Sequence, residues 1–112
     1  MKEKSRDEVV TFVQAVANHQ GWRVNTDNEF LDTLIDGLLG TFNTHGYFLC
    51  PCRESWEERE KDKDVICPCI YASEDLEEYG HCYCGLYISK DFLASGKEVE
   101  GIPERRPEEK MP

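Results

Sequence analysis

The chain has 112 residues, 39% hydrophobic and 32% charged, with a formal net charge of −10 from 23 acidic against 13 basic residues. That length suits one domain over residues 1–112, the composition argues against wholesale disorder, and no apolar run approaches the roughly 20 residues of a membrane-spanning helix. An acidic chain is disfavoured as a binder of DNA or RNA, because such binding rests on neutralising phosphates, and the charged amino terminus MKEKSRDE lacks the apolar stretch of a secretory signal.

Residues 5–46 read as a helical scaffold. Ser5-Arg6-Asp7-Glu8 is a capping box. Val9, Val13 and Val16, with Phe12 beside them, then recur at helical spacing until Gly21, a plausible stop. A second box, Thr26-Asp27-Asn28-Glu29, opens a stronger helix with a wide apolar stripe of Phe30, Leu31, Leu34, Ile35, Leu38 and Leu39. Either Gly40 ends it, or it runs to Asn43 with Gly46 as the breaker. The charged run Glu54–Asp64 reads as a solvated helix face or loop. Ser73-Glu74-Asp75 is placed to start a short helix that stops at Gly80, and Ser89 to cap a last one ended by Gly96. The elements read from these residues are helices. The proline-bearing tail over residues 97–112 reads as irregular.

The six cysteines all lie between Cys50 and Cys84. A secreted disulfide framework spreads its cysteines and follows an export signal; this pattern points instead to a cytoplasmic chain that concentrates sulfur for metal or redox chemistry over residues 47–89. The cysteines form three Cys-x-Cys units, Cys50-Pro51-Cys52, Cys67-Pro68-Cys69 and Cys82-Tyr83-Cys84, separated by 14 and 12 residues. Proline pushes the residue before it toward an extended conformation, in which residues i and i+2 point the same way. Both sulfurs of a unit then face one locus, with Cα atoms roughly 6.6 Å apart, near the upper limit for a disulfide. Three converging units would gather six sulfurs. A [4Fe–4S] cluster takes four thiolates and leaves a dithiol beside it. A structural zinc also takes four, but has no redox chemistry for the other two. Three disulfides are the third reading, and cytosolic redox poise opposes it.

The three units in this order resemble the catalytic (β) subunit of ferredoxin:thioredoxin reductase. The likeness extends to Gly46-Tyr47 and Arg53 around the first unit, to Gly85-Leu86-Tyr87 after the third, and to Ile102-Pro103-Glu104-Arg105-Arg106-Pro107. It covers roughly residues 26–107. The resemblance implies an all-α fold, a small multihelical domain of about five helices embracing one [4Fe–4S] cluster, with Cys50, Cys67, Cys69 and Cys82 as ligands and a redox-active disulfide between Cys52 and Cys84. It implies a reductase that takes single electrons from ferredoxin, with Cys52 attacking the disulfide of a thioredoxin-like protein and Cys84 resolving the mixed disulfide.

Three features depart from the family. Its third unit is usually Cys-His-Cys, with the histidine handling protons, whereas Tyr83 stands here and His81 precedes the unit. His81 is the candidate for that role, with the Tyr83 phenol as the other. Against it, a lone histidine before a ligand is commonly a hydrogen-bonded structural residue. The spacing is looser than in the light-linked enzymes and similar to that of bacterial and archaeal ferredoxin:disulfide reductases, whose target need not be thioredoxin and can be glutaredoxin-like. The light-linked members also pair with a small variable subunit; such a subunit or a homodimer is an allowed assembly. Ferredoxins are commonly acidic, as this chain is, so attraction needs a local basic patch. Arg53, Arg105, Arg106, Lys90 and Lys97 are its candidates. The competing function is a non-catalytic zinc module that binds a protein partner.

Overall fold

Helix α1 (Arg6–Gln20) begins where Ser5 and Glu8 exchange hydrogen bonds: Ser5 N–H donates to Glu8 Oε1 (3.1 Å) and Glu8 N–H to Ser5 Oγ (3.3 Å). The computed structural model describes residues 4–112, so the first three residues of the charged stretch MKEKSRDE lie outside it. Gly21, in the left-handed conformation, closes α1. Helix α2 spans Asn28–His45. Its cap is Asp27, one residue later than the sequence suggested, with the carboxylate accepting from Phe30 N–H at 3.2 Å. Gly40 does not interrupt it; Gly46 ends it.

The two helices share one core. Val9, Val13 and Ala17 of α1 pack with Leu34, Ile35 and Leu38 of α2, each large side chain contributing about 1.5–3 kcal/mol by leaving water. Phe12 stacks on Phe48 with ring centroids 4.4 Å apart, carrying the core toward the cysteines. The remaining helices are short: α3 (Arg59–Asp62), α4 (Ala72–Tyr79) and α5 (Lys90–Ser95), with 3-10 turns at Lys63–Val65 and Glu108–Lys110. Helix α4 begins one residue before Ser73 and has no side-chain cap, while Gly80 stops it; Ser89 caps α5 and Gly96 ends it.

The fold is mostly helical, as expected, but not purely so. Strand β1 (Arg23–Val24) pairs antiparallel with β2 (Tyr87–Ile88), Arg23 opposite Ile88 and Val24 opposite Tyr87. Asn25 extends this tie, its backbone N–H bonding Leu86 C=O and its side-chain amide bonding Gly85 C=O, both at 2.8 Å. The connection between α1 and α2 thus anchors the third cysteine unit. A second bridge, Leu49 opposite Ile66, lays the first unit beside the second: Cys50 N–H bonds Val65 C=O (3.0 Å) and Cys67 N–H bonds Phe48 C=O (2.6 Å).

Two segments differ from a solvated face and a loose tail. Asp62 and Asp64, within the charged run, are buried. Asp62 accepts from Tyr47 Oη and Ser55 Oγ (2.6 Å each) and from Trp56 N–H (2.9 Å). Asp64 accepts from Tyr71 Oη (2.8 Å) and from Arg106 Nε (3.1 Å). The tail has little regular structure, yet its three successive charged residues are all held. Glu104 grips Arg53, Arg106 grips Asp64, and Arg105 pairs with Glu74, Asp75 and Glu78 on α4. Burial of Asp62 and Asp64 is what the charge pattern alone could not reveal, because their shared cation, Arg106, lies about forty residues further along the chain. Among the described residues no helix is long and apolar enough to cross a membrane.

Candidate functional site

The first cysteine unit is a turn and not an extended segment. Arg53 N–H bonds Cys50 C=O at 3.1 Å, with Pro51 at the second position, where its fixed φ suits a β-turn. The turn buries Cys50 and leaves Cys52 exposed, so the two sulfurs do not share one environment as the extended expectation required. Helix α2 makes room for it: a methyl group at Gly37 would meet Pro51 Cβ at 2.7 Å. Sequence reasoning passed over Gly37, whose helical setting gave no sign of a loop pressed against it.

The second unit contains a cis peptide bond between Cys67 and Pro68. Cys67 is buried and Cys69 half-buried. The third unit is again a turn, closed by Gly85 N–H to Cys82 C=O (2.9 Å), while Cys82 N–H bonds Tyr87 C=O (3.0 Å). Cys82 and Cys84 are both buried, their sulfurs 3.8 Å apart. Cys50, Cys67, Cys69, Cys82 and Cys84, with Arg53, Tyr83 and Tyr87, line one tight cavity.

Cys84 Sγ lies 3.8 Å from Cys82 Sγ, and hydrogen bonding shared with Cys50, Cys52 and Cys82 holds its own proton well above the usual thiol range. The same bond to Cys84 lowers Cys50 and Cys82, and brings Cys52 down to about 7, with the Arg53 charge helping at Cys52 against partial burial. Burial pushes Cys67 and Cys69 the other way. All six are free thiols, so Cys52 and Cys84 stand here in the dithiol form. Among the described residues no three histidine, cysteine or carboxylate groups are drawn close enough to grip a metal ion.

Two sulfurs already receive N–H donors. Tyr87 N–H points at Cys82 Sγ (3.4 Å) and Arg53 Nη1 at Cys69 Sγ (3.2 Å). Arg53 is buried: Nε and Nη2 form a fork on Glu104 at 2.8 and 2.7 Å. Its guanidinium lies over the Tyr83 ring at 4.6 Å and the Tyr71 ring at 5.4 Å.

A sequence profile described as "Ferredoxin thioredoxin reductase catalytic beta chain" matches residues 1–106. The chain belongs to this family. No curated protein matches it. Within the family pattern the two candidate proton handlers sit differently. Tyr83 lines the thiol cavity. His81 does not; it is buried edge-on against Phe92, with Nδ1 at 2.8 Å from Cys82 C=O and Nε2 accepting from Glu100 N–H at 3.4 Å. That network fits the Nδ1–H tautomer and occupies both ring nitrogens with backbone.

Proposed function

We propose that the chain is an iron–sulfur disulfide reductase, taking electrons one at a time from ferredoxin and delivering them in pairs to the disulfide of a thioredoxin-like protein. The observation that carries this is the placement of Cys84, a buried thiol 3.8 Å from the Cys82 sulfur whose proton is also shared with the exposed Cys52. A thiol so placed can close a disulfide with the outer cysteine while remaining against a sulfur that ligates metal.

Cys50, Cys67, Cys69 and Cys82 would hold a [4Fe–4S] cluster. The donor set fits: four soft thiolates around one cavity, two of them already met by N–H groups that favour the anionic sulfur. Once bound, such a cluster supplies single electrons to the neighbouring disulfide. The rest is thiol chemistry. The Cys52 thiolate attacks the target disulfide, forming a mixed disulfide and expelling one target thiolate. Cys84 then attacks Cys52 Sγ, releasing the second target thiolate and closing the Cys52–Cys84 bond. Two electrons and two protons restore the dithiol, while the target carries away the pair. The exposure and lowered pKa of Cys52 suit it to attack, and the burial and high pKa of Cys84 suit it to wait. His81 positions the Cys82 turn through the carbonyl it bonds, and the Tyr83 side chain lines the sulfur cavity.

The deciding experiment is anaerobic purification with iron and sulfide analysis, followed by reduction of a thioredoxin disulfide with reduced ferredoxin. A brown protein containing four irons per chain and turning over the disulfide is expected. A colourless protein with one zinc per chain overturns the reading in favour of a binding module.

A further inference from the structure

Arg53 stands between the tail and the sulfurs in a way the disulfide chemistry does not explain. One edge of its guanidinium is locked by the Glu104 carboxylate, leaving Nη1 aimed at Cys69 Sγ. Its guanidinium carbon also lies over two tyrosine rings, 4.6 Å from the Tyr83 centroid and 5.4 Å from the Tyr71 centroid. Glu104 is itself fixed, accepting from Arg106 N–H at 3.0 Å, and Arg106 holds Asp64, which accepts from the same Tyr71 that covers Arg53. The result is a ring of contacts from which Arg53 sends one N–H···S bond into the cavity.

We infer that Glu104 is a positioning residue that aims Arg53 at the Cys69 sulfur, and that this bond sets the reduction potential of the metal centre. The inference rests on the reading of Cys69 as a cluster ligand. Its physical basis is general: a hydrogen bond to a ligating sulfur withdraws negative charge and favours the reduced, more negative state of the centre. A planar guanidinium forked on a carboxylate is held in one orientation, which a lysine at the same place cannot reproduce. The three-residue stretch Glu104-Arg105-Arg106 thereby acquires a role in electron transfer although it holds no metal.

The test compares the iron-loaded full chain with Arg53→Lys, Glu104→Gln and the double variant. The expected result is a more negative midpoint potential and a changed Fe–S(Cys) stretching frequency in each single variant, with Glu104→Asp partly restoring both. The double variant should move no further than Arg53→Lys alone, since Glu104 acts through Arg53. Far-ultraviolet circular dichroism checks that the helices persist. Unchanged potentials and frequencies in folded, loaded variants overturn the inference and leave the proposed function standing. Arg53→Lys retaining the parent potential also overturns it, because charge alone would then suffice. An unaltered chain that takes up no cluster overturns the function and this inference together.

Discussion

At the residue scale, the six cysteines divide by environment more sharply than by spacing. Cys52 is exposed and Cys67 deeply buried, although each belongs to a Cys-Pro-Cys unit. Cys52→Ser should therefore abolish disulfide reduction while retaining the full iron content, whereas Cys67→Ser should lose the iron; metal analysis beside a turnover assay reads both. Retained turnover in Cys52→Ser would refute the division of roles. Spacing makes four sulfurs and two sensible numbers but does not give the conformation of the first unit. Proline restricts only the residue before it; Pro51 itself takes the second position of a turn closed by Arg53 N–H, which reverses the chain after Cys50. That choice turns Cys52 outward and is what separates attacker from ligand in the proposed scheme.

At the scale of elements, the caps and stops were legible because their chemistry is local. Ser5 and Glu8, Ser89, and the glycines at 21, 46, 80 and 96 act on residues within one turn of themselves. Contacts made across the chain were not legible. Gly37 looks like an ordinary helix weakness until Pro51 is seen against it. Gly37→Ala, which in an isolated helix would stabilise by about 1 kcal/mol, should instead destabilise by about 1–3 kcal/mol through overpacking; urea unfolding measures the sign. Asp62 offers a second test. Burial raises its pKa, but hydrogen bonds from Ser55, Tyr47 and the Trp56 N–H, with the Arg106 charge, outweigh that and hold it below the carboxylate range. A depressed native pKa stabilises above the unfolded value of about 3.9, and that stability is lost as pH falls through the native value. Asp62→Asn should be less stable near neutrality and show a flatter decline of melting temperature below about pH 4.

Over the whole molecule, the charge distribution bears on how an electron donor is met. Three of the five cations that could have formed a basic patch are already engaged: Arg53 with Glu104, Arg106 with Asp64, and Arg105 with three acids of α4. The other two, Lys90 and Lys97, are exposed on and just beyond α5. With a net charge of −10, attraction to an acidic donor has little to draw on. The rate of electron delivery from an acidic ferredoxin should accordingly rise with ionic strength as salt screens the repulsion, and stopped-flow kinetics at increasing salt would show it. A rate that falls steeply with salt would reveal a basic face that the ion pairs do not suggest.

The tie from Asn25 to Gly85 and Leu86 joins the helical scaffold to the residues immediately after Cys84. Gly85 follows Cys84 directly; its φ of 80° and the Val99 side chain, which a methyl group there would meet at 2.6 Å, leave it little play. In the proposed scheme, closing a Cys52–Cys84 bond would pull on that glycine. The Asn25 amide, far along the chain from any cysteine, becomes a strain gauge for the thiols, and its exchange with heavy water should keep time with their opening and closing.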